Sequence, residues 1–134
     1  MNRKLSFQEV INMVRKFMDT YKLNVFEMPK AGIGKETIQL RYELMKEENE
    51  EYLEAAQKGD LVEVADALGD MLYILAGTML AHGMQDKIEA VFTEIQRSNM
   101  SKLGEDGQPI YREDGKVLKG PNYSKPDLKS IIEG

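Results

Sequence analysis

The residues with the most chemical content in this chain are acidic, and they crowd two neighbouring stretches. Glu43, Glu47 and Glu51 stand at i, i+4 and i+8, a column of like charges if the segment is helical, and Glu50 and Glu54 repeat the pattern. Only Lys46–Glu50 and Glu54–Lys58 are favourable i, i+4 pairs. A solvated acidic face normally alternates with lysine four residues on, gaining a few tenths of a kcal/mol per pair. This column instead costs stability unless a cation sits beside it. The second stretch, residues 61–81, is almost wholly apolar and is interrupted by Glu63, Asp66 and Asp70. At about 100° per residue these three share one helical face. So apolar a helix is expected in the core, where carboxylates are rare unless paired or metal-bound. Read as a capping box, Asp60-x-x-Glu63 accounts for Glu63 alone. A buried salt bridge is the structural alternative for Asp66 and Asp70.

Gly59-Asp60 joins the two stretches, so their helices should be antiparallel neighbours with the acidic clusters converging near one end. Two carboxylates ~5 Å apart repel by ~3 kcal/mol at an effective dielectric of ~20. Divalent cations would offset that. All-oxygen ligation selects Mg²⁺, with Mn²⁺ as substitute, over zinc or copper. The rest of the composition agrees. The chain has 134 residues, no cysteine and one histidine, His82. This excludes disulfide scaffolds, thiolate zinc sites and cysteine nucleophiles, and argues against a Ser-His-Asp triad. A ferritin-like di-iron centre would need Glu-x-x-His motifs, which are absent. A net charge of −5 with mixed signs argues against a nucleic-acid polymer as partner.

The elements that must carry these residues are helices. Ser6, with Glu9 three residues on, forms a capping box ahead of an apolar period that predicts a helix over 6–21. Residues 24–34 hold Pro29, Gly32 and Gly34 and read as a loop. Gly34-Lys35 is too sparse for a P-loop, with Pro29 and Glu36 at positions that need glycine and Ser/Thr. Further helices are expected over 35–58, ended by a left-handed Gly59, over 61–81, capped by Asp60 and ending at His82-Gly83, and over 85–99. From residue 100 the composition shifts to glycine and proline, and Asp114-Gly115 marks a short hairpin or ordered loop. The expectation is a single all-α domain: a four-helix bundle over 1–99 and an irregular tail over 100–134. Residues 1–7 show no signal peptide. The longest apolar run, 71–81, is too short to span a bilayer. A cytoplasmic protein without membrane contact is expected.

With these residues in place, Glu47-Glu48-x-x-Glu51 followed by Glu63-x-x-Asp66 resembles the EExxE…ExxD signature of the all-α nucleoside triphosphate pyrophosphohydrolases. That superfamily includes MazG-type enzymes, dimeric dUTPases and phosphoribosyl-ATP pyrophosphohydrolases. Residues 40–55 (LRYELMKEENEEYLEA) and 65–83 (ADALGDMLYILAGTMLAHG) fit it, and residues 98–102 with 114–123 are similar to its phosphoribosyl-ATP pyrophosphohydrolase-like subgroup. The resemblance implies Mg²⁺-dependent hydrolysis of a nucleoside triphosphate, dUTP or a non-canonical dNTP, to monophosphate and pyrophosphate. It implies that Glu47, Glu48, Glu51, Glu63 and Asp66 hold the metal and that Glu47 or Glu48 accepts the water's proton. Asp70 would orient a ligand. Asn99, Lys102, Lys116, Lys119 and Tyr123 would bind substrate, with Gly120 helping to shape the pocket. Gln96 departs from the subgroup, where histidine is common. The resemblance and the wide apolar arcs of the helices together imply a homodimer or homotetramer. Two alternatives stand beside this reading: phosphoribosyl-ATP hydrolysis, and a non-catalytic helical nucleotide-binding or interaction module. His82 reads as a helix C-terminal cation. The Met and aromatic residues of the first helix (Met13, Phe17, Met18, Tyr21) read as core or subunit interface.

Overall fold

A computed structural model describes residues 3–134; Met1 and Asn2 lie outside the described residues, and with them part of the expectation of no signal peptide. The protein is all-α. Its helices are α1 (Phe7–Thr20), α2 (Lys35–Lys58), α3 (Leu61–Ala81), α4 (Ile88–Met100) and α5 (Leu128–Glu133). The chain forms two compact units, Met1–Gln85 and Asp86–Gly134.

In the first unit, Ser6 caps α1 with the expected box: its hydroxyl accepts from Glu9 N, and the Glu9 carboxylate accepts from Ser6 N. Ile11, Val14 and Met18 recur on one face of α1 and bury against Ala76, Leu80 and Ala81 of α3. The core therefore lies at the C-terminal half of α3. α2 ends where Gly59 adopts φ +71, and the N–H groups of Gly59 and Asp60 return to the Ala56 and Ala55 carbonyls. This closes the last turn of α2 and sends the chain straight into α3. Ala55 and Ala67, both buried, keep the paired helices close at this end.

α3 is less buried than its composition predicts. Leu61 and Val62 are more than three-quarters exposed, and Leu68, Leu72 and Leu75 about half exposed. One face of α3 meets α1 and α2, and nothing within the unit covers the other. Glu63 and Asp66 are consequently exposed, and only Asp70 is half-buried. Taken whole, the 21 residues of α3 are also long and apolar enough to cross a membrane by length and composition, which the shorter run 71–81 did not suggest.

The loop between α1 and α2 is tied to the end of α3. Phe26 N donates to the Leu80 carbonyl, Lys30 N to the His82 carbonyl, and His82 Nδ1 to the Lys30 carbonyl at 2.8 Å. Buried Gln85 donates from Nε2 to the Phe26 carbonyl. This explains why α4 starts at Ile88 and not at residue 85: Gln85 is an anchor for the preceding unit.

In the second unit, α4 packs against α5. Glu94 accepts from Arg97 Nη2 and from Asp127 N, both at 2.8 Å, which fixes the entry to α5. Sequence reading missed α5, although Asp127 caps it and Leu128, Ile131 and Ile132 have helical spacing. Where a short hairpin or ordered loop was expected there is one isolated antiparallel bridge, Tyr111–Val117, with no strand among the described residues.

Candidate active site

α2 and α3 form the most extensive helix pair of the chain, and the acidic residues lie along its seam. Glu48 is the central one. It is half-buried, and its Oε2 is sealed from solvent with no hydrogen-bond partner. Burial, then the charges of Glu51, Asp70 and Asp66, hold its carboxyl above the ordinary carboxylate range. Two helices therefore contribute two carboxylates each to one neighbourhood: Glu48 and Glu51 from α2, Asp66 and Asp70 from α3. The spacing explains it. Glu48 and Glu51 are three apart, Asp66 and Asp70 four apart, so each pair occupies one face of its helix. The tight Gly59-Asp60 turn brings those faces together.

Glu51 also lines a cleft of about 340 Å³ at the turn end of the hairpin, with Glu54, Lys58, Asp60 and Glu63. Asp60 Oδ1 accepts from Glu63 N at 3.1 Å and caps α3, but the capping box is not completed: Asp60 N donates to the Ala55 carbonyl, not to the Glu63 carboxylate. The Glu63 side chain faces the cleft beside Glu51. Glu47 stands apart: it is exposed and is not among the charges acting on Glu48. Among the described residues no lysine or arginine forms an ion pair with Glu48, Glu51, Asp66 or Asp70. The buried-salt-bridge account of Asp66 and Asp70 is thereby removed. No group of three described Asp, Glu or His side chains is already posed to ligate one ion directly. Like charges with no counter-charge between them turn outward, and Asp66 and Glu51 do so toward solvent.

The tail residues lie in the second unit. Asn99 and Lys102 line a cleft of about 400 Å³ with Met100, Leu103, Pro109 and Val117. Lys119 Nζ sits 4.8 Å from the centre of the Tyr123 ring, a cation–π contact that fixes both side chains. Lys116 is exposed, and its backbone N donates to Asp114 Oδ1. Gly120 touches the Lys102–Leu103 backbone so closely that a Cβ would stand 2.2 Å from the Leu103 carbonyl oxygen.

His82 is a clasp between α3 and the preceding loop and takes no part in the acidic seam. Arg41 and Gln85 carry roles that the sequence reading did not assign. The signal for Arg41 was its position on α2, two helical turns before Glu48 on the same seam.

Residues 14–99 match the family model for phosphoribosyl-ATP pyrophosphohydrolase. The match takes in all of α2 and α3 and with them Glu47, Glu48, Glu51, Glu63, Asp66 and Asp70. A solved structure from Exiguobacterium sp. 255-15, provisionally described as an NTP pyrophosphohydrolase, is similar over 97% of this chain and 96% of that one, with 25% identity and a TM-score of 0.49. Comparison with curated proteins gives no match. The family model spans well over half of the chain, and the chain belongs to the phosphoribosyl-ATP pyrophosphohydrolase family of hydrolases.

Proposed function

We propose that the protein is a Mg²⁺-dependent nucleotide pyrophosphohydrolase. It would split a nucleoside triphosphate, dUTP or a non-canonical dNTP, between the α and β phosphates to give monophosphate and pyrophosphate. The observation that carries this reading is Glu48: a carboxylate oxygen sealed from water, without a donor, among three further carboxylates. Leaving such an oxygen unpaired costs about 1–3 kcal/mol or more. Four oxygen-bearing groups and no nitrogen or sulfur ligand fit a hard divalent cation. Glu48, Glu51 and Asp66 would hold it, with Glu63 and Glu47 recruited from the exposed rim and Asp70 orienting its neighbours. When bound, the ion neutralises triphosphate charge and acidifies water. Glu47 or Glu48 takes the proton of the attacking water onto a carboxylate oxygen. The resemblance also implies substrate binding by Asn99, Lys102, Lys116, Lys119 and Tyr123 of the second unit, where Lys119 lies over the Tyr123 ring.

The family model favours phosphoribosyl-ATP as a second substrate reading, and its scissile bond is the same. The exposed leucines of α3 form an apolar surface of the kind that marks protein association, which supports a homodimer or homotetramer. A panel of nucleoside triphosphates plus phosphoribosyl-ATP, read by pyrophosphate release with and without Mg²⁺, tests the proposal. Glu51→Gln and Asp66→Asn should each abolish release while the helical circular-dichroism signal is kept. Magnesium-independent turnover, or full activity in both variants, refutes it.

A further inference from the structure

A second cavity of the first unit, about 330 Å³, opens where α1, the following loop, α2 and α3 meet. Leu40 and Leu44 line one side. Phe17 and Tyr73 form an aromatic wall, meeting edge to face at 5.5 Å, and each stays about 40% exposed (40% and 42%). Arg41 is the one charged residue in the lining. Its Nε donates to Thr78 Oγ1 at 2.9 Å and its Nη2 to the Ile74 carbonyl at 2.7 Å. No carboxylate among the described residues pairs with it.

The arginine is held by design of the backbone. A Cβ on Gly77 would stand 2.5 Å from Arg41 Nη2, so only glycine lets the guanidinium lie against α3. A cation half-removed from water in an apolar pocket without a counter-charge is costly. Tying α2 to α3 uses two of its N–H groups, and a guanidinium has five. Arg41 also stands in register with the acidic seam: it precedes Glu48 by seven residues, ~10 Å along α2, and Tyr73 follows Asp70 by one turn. That is the reach from a nucleobase to its phosphates.

We propose that this pocket takes the base of the nucleotide substrate, stacked on Phe17 and Tyr73, with Arg41 donating to a carbonyl acceptor on the base edge. Every base offers a π-face to an aromatic wall. The guanidinium fork selects bases whose edge carries a carbonyl oxygen over adenine, whose amino group is a donor. The inference rests on the nucleotide reading above and makes Arg41 a specificity-determining residue.

The test uses the full chain, ¹⁵N-labelled and in chelator, titrated with the phosphate-free nucleosides deoxyuridine, thymidine, deoxyguanosine and deoxyadenosine. A carbonyl-bearing nucleoside should shift the Arg41 Nε–H and Tyr73 amide resonances more strongly than deoxyadenosine. Arg41→Met should weaken that binding roughly ten- to hundredfold, the loss of hydrogen bonds to a charged group. It should raise KM for the matching triphosphate by a similar factor with a smaller change in kcat. Arg41→Lys, which keeps the charge and loses the fork, should recover only part of the affinity. Silence of both resonances with all four nucleosides overturns the inference, as does deoxyadenosine binding at least as tightly as the others. These wild-type shifts decide the matter even where a variant fails to fold. Nucleoside binding without pyrophosphate release would sink the proposed hydrolysis and leave the pocket standing. Pyrophosphate release with a silent Arg41 does the reverse.

Discussion

Replacing Glu48 with glutamine should invert the order of stability between variant and parent when Mg²⁺ is added. In chelator, Glu48 carries a charge that burial and its neighbours Glu51, Asp70 and Asp66 all disfavour. One carboxylate pair ~5 Å apart costs ~1 kcal/mol in water and ~3 kcal/mol at an effective dielectric of ~20. Glu51 and Asp66 are exposed, which places their share near the water limit. Neutralising Glu48 should therefore stabilise the metal-free protein by about 1–2 kcal/mol, a few degrees in Tm for a chain of this size. The sign follows from linkage. A carboxyl whose folded pKa lies above its unfolded value binds more protons folded than unfolded. Stability then falls as pH rises from the unfolded pKa through the folded one, and Glu48→Gln abolishes that fall. With Mg²⁺ at 100 times its dissociation constant, the parent should gain ~2.7 kcal/mol, and E48Q should gain much less. Thermal unfolding at 222 nm in chelator and in Mg²⁺ reads both arms. A variant less stable than the parent in chelator, or a parent indifferent to Mg²⁺, refutes the account of the seam.

Three other expectations can be checked by simple means. Gly59 and Gly83 both adopt positive φ, but a Cβ at Gly59 meets open space whereas at Gly83 it would stand 2.0 Å from the Met28 carbonyl oxygen. Denaturant titration should show Gly59→Ala costing about 1 kcal/mol and Gly83→Ala about 3 kcal/mol or more, because the loop bonds of Phe26 and Lys30 are displaced as well. The Glu94 carboxyl, bonded first to Arg97 and then to Asp127 N, is held down to about 2. Its contribution is present above the ordinary glutamate pKa and is lost as pH falls through about 2, so NMR titration should find a midpoint there, and Glu94→Gln should speed hydrogen exchange at Asp127. Light scattering should report a dimer or tetramer that Leu72→Glu, on the open face of α3, shifts toward monomer; a monomeric parent would contradict that assembly.

The bounds of α2 and α3 were readable because their punctuation is local. Gly59 supplies the left-handed cap and Asp60 the N-cap without help from distant residues, and Gly83 marks the reversal after α3 by its own positive φ, although the Met28 carbonyl also packs against it. The capping box at Ser6 and Glu9 is equally self-contained. The start of α4 was not readable, because Gln85 is drawn out of the helix by the Phe26 carbonyl, a partner 59 residues away. α5 had a legible cap in Asp127, yet its anchor, the Glu94 carboxylate, lies 33 residues back.

The acidic site divides along the same line. Residue type and helical spacing alone placed carboxylates on facing sides of a tight hairpin and made a hard cation the expected partner, because like charges at i, i+4 have few other remedies. The depth of each side chain was a matter for packing. α3 is apolar enough to be buried all round, but a single chain offers it partners on one side only, so Asp66 stays in water while the Glu48 oxygen is sealed beneath its neighbours. The place of Arg41 was also beyond spacing, since it required knowing that Gly77 leaves room for a guanidinium across the seam. Local chemistry chose the residues and their helices; which charges lose their water was decided where the helices met.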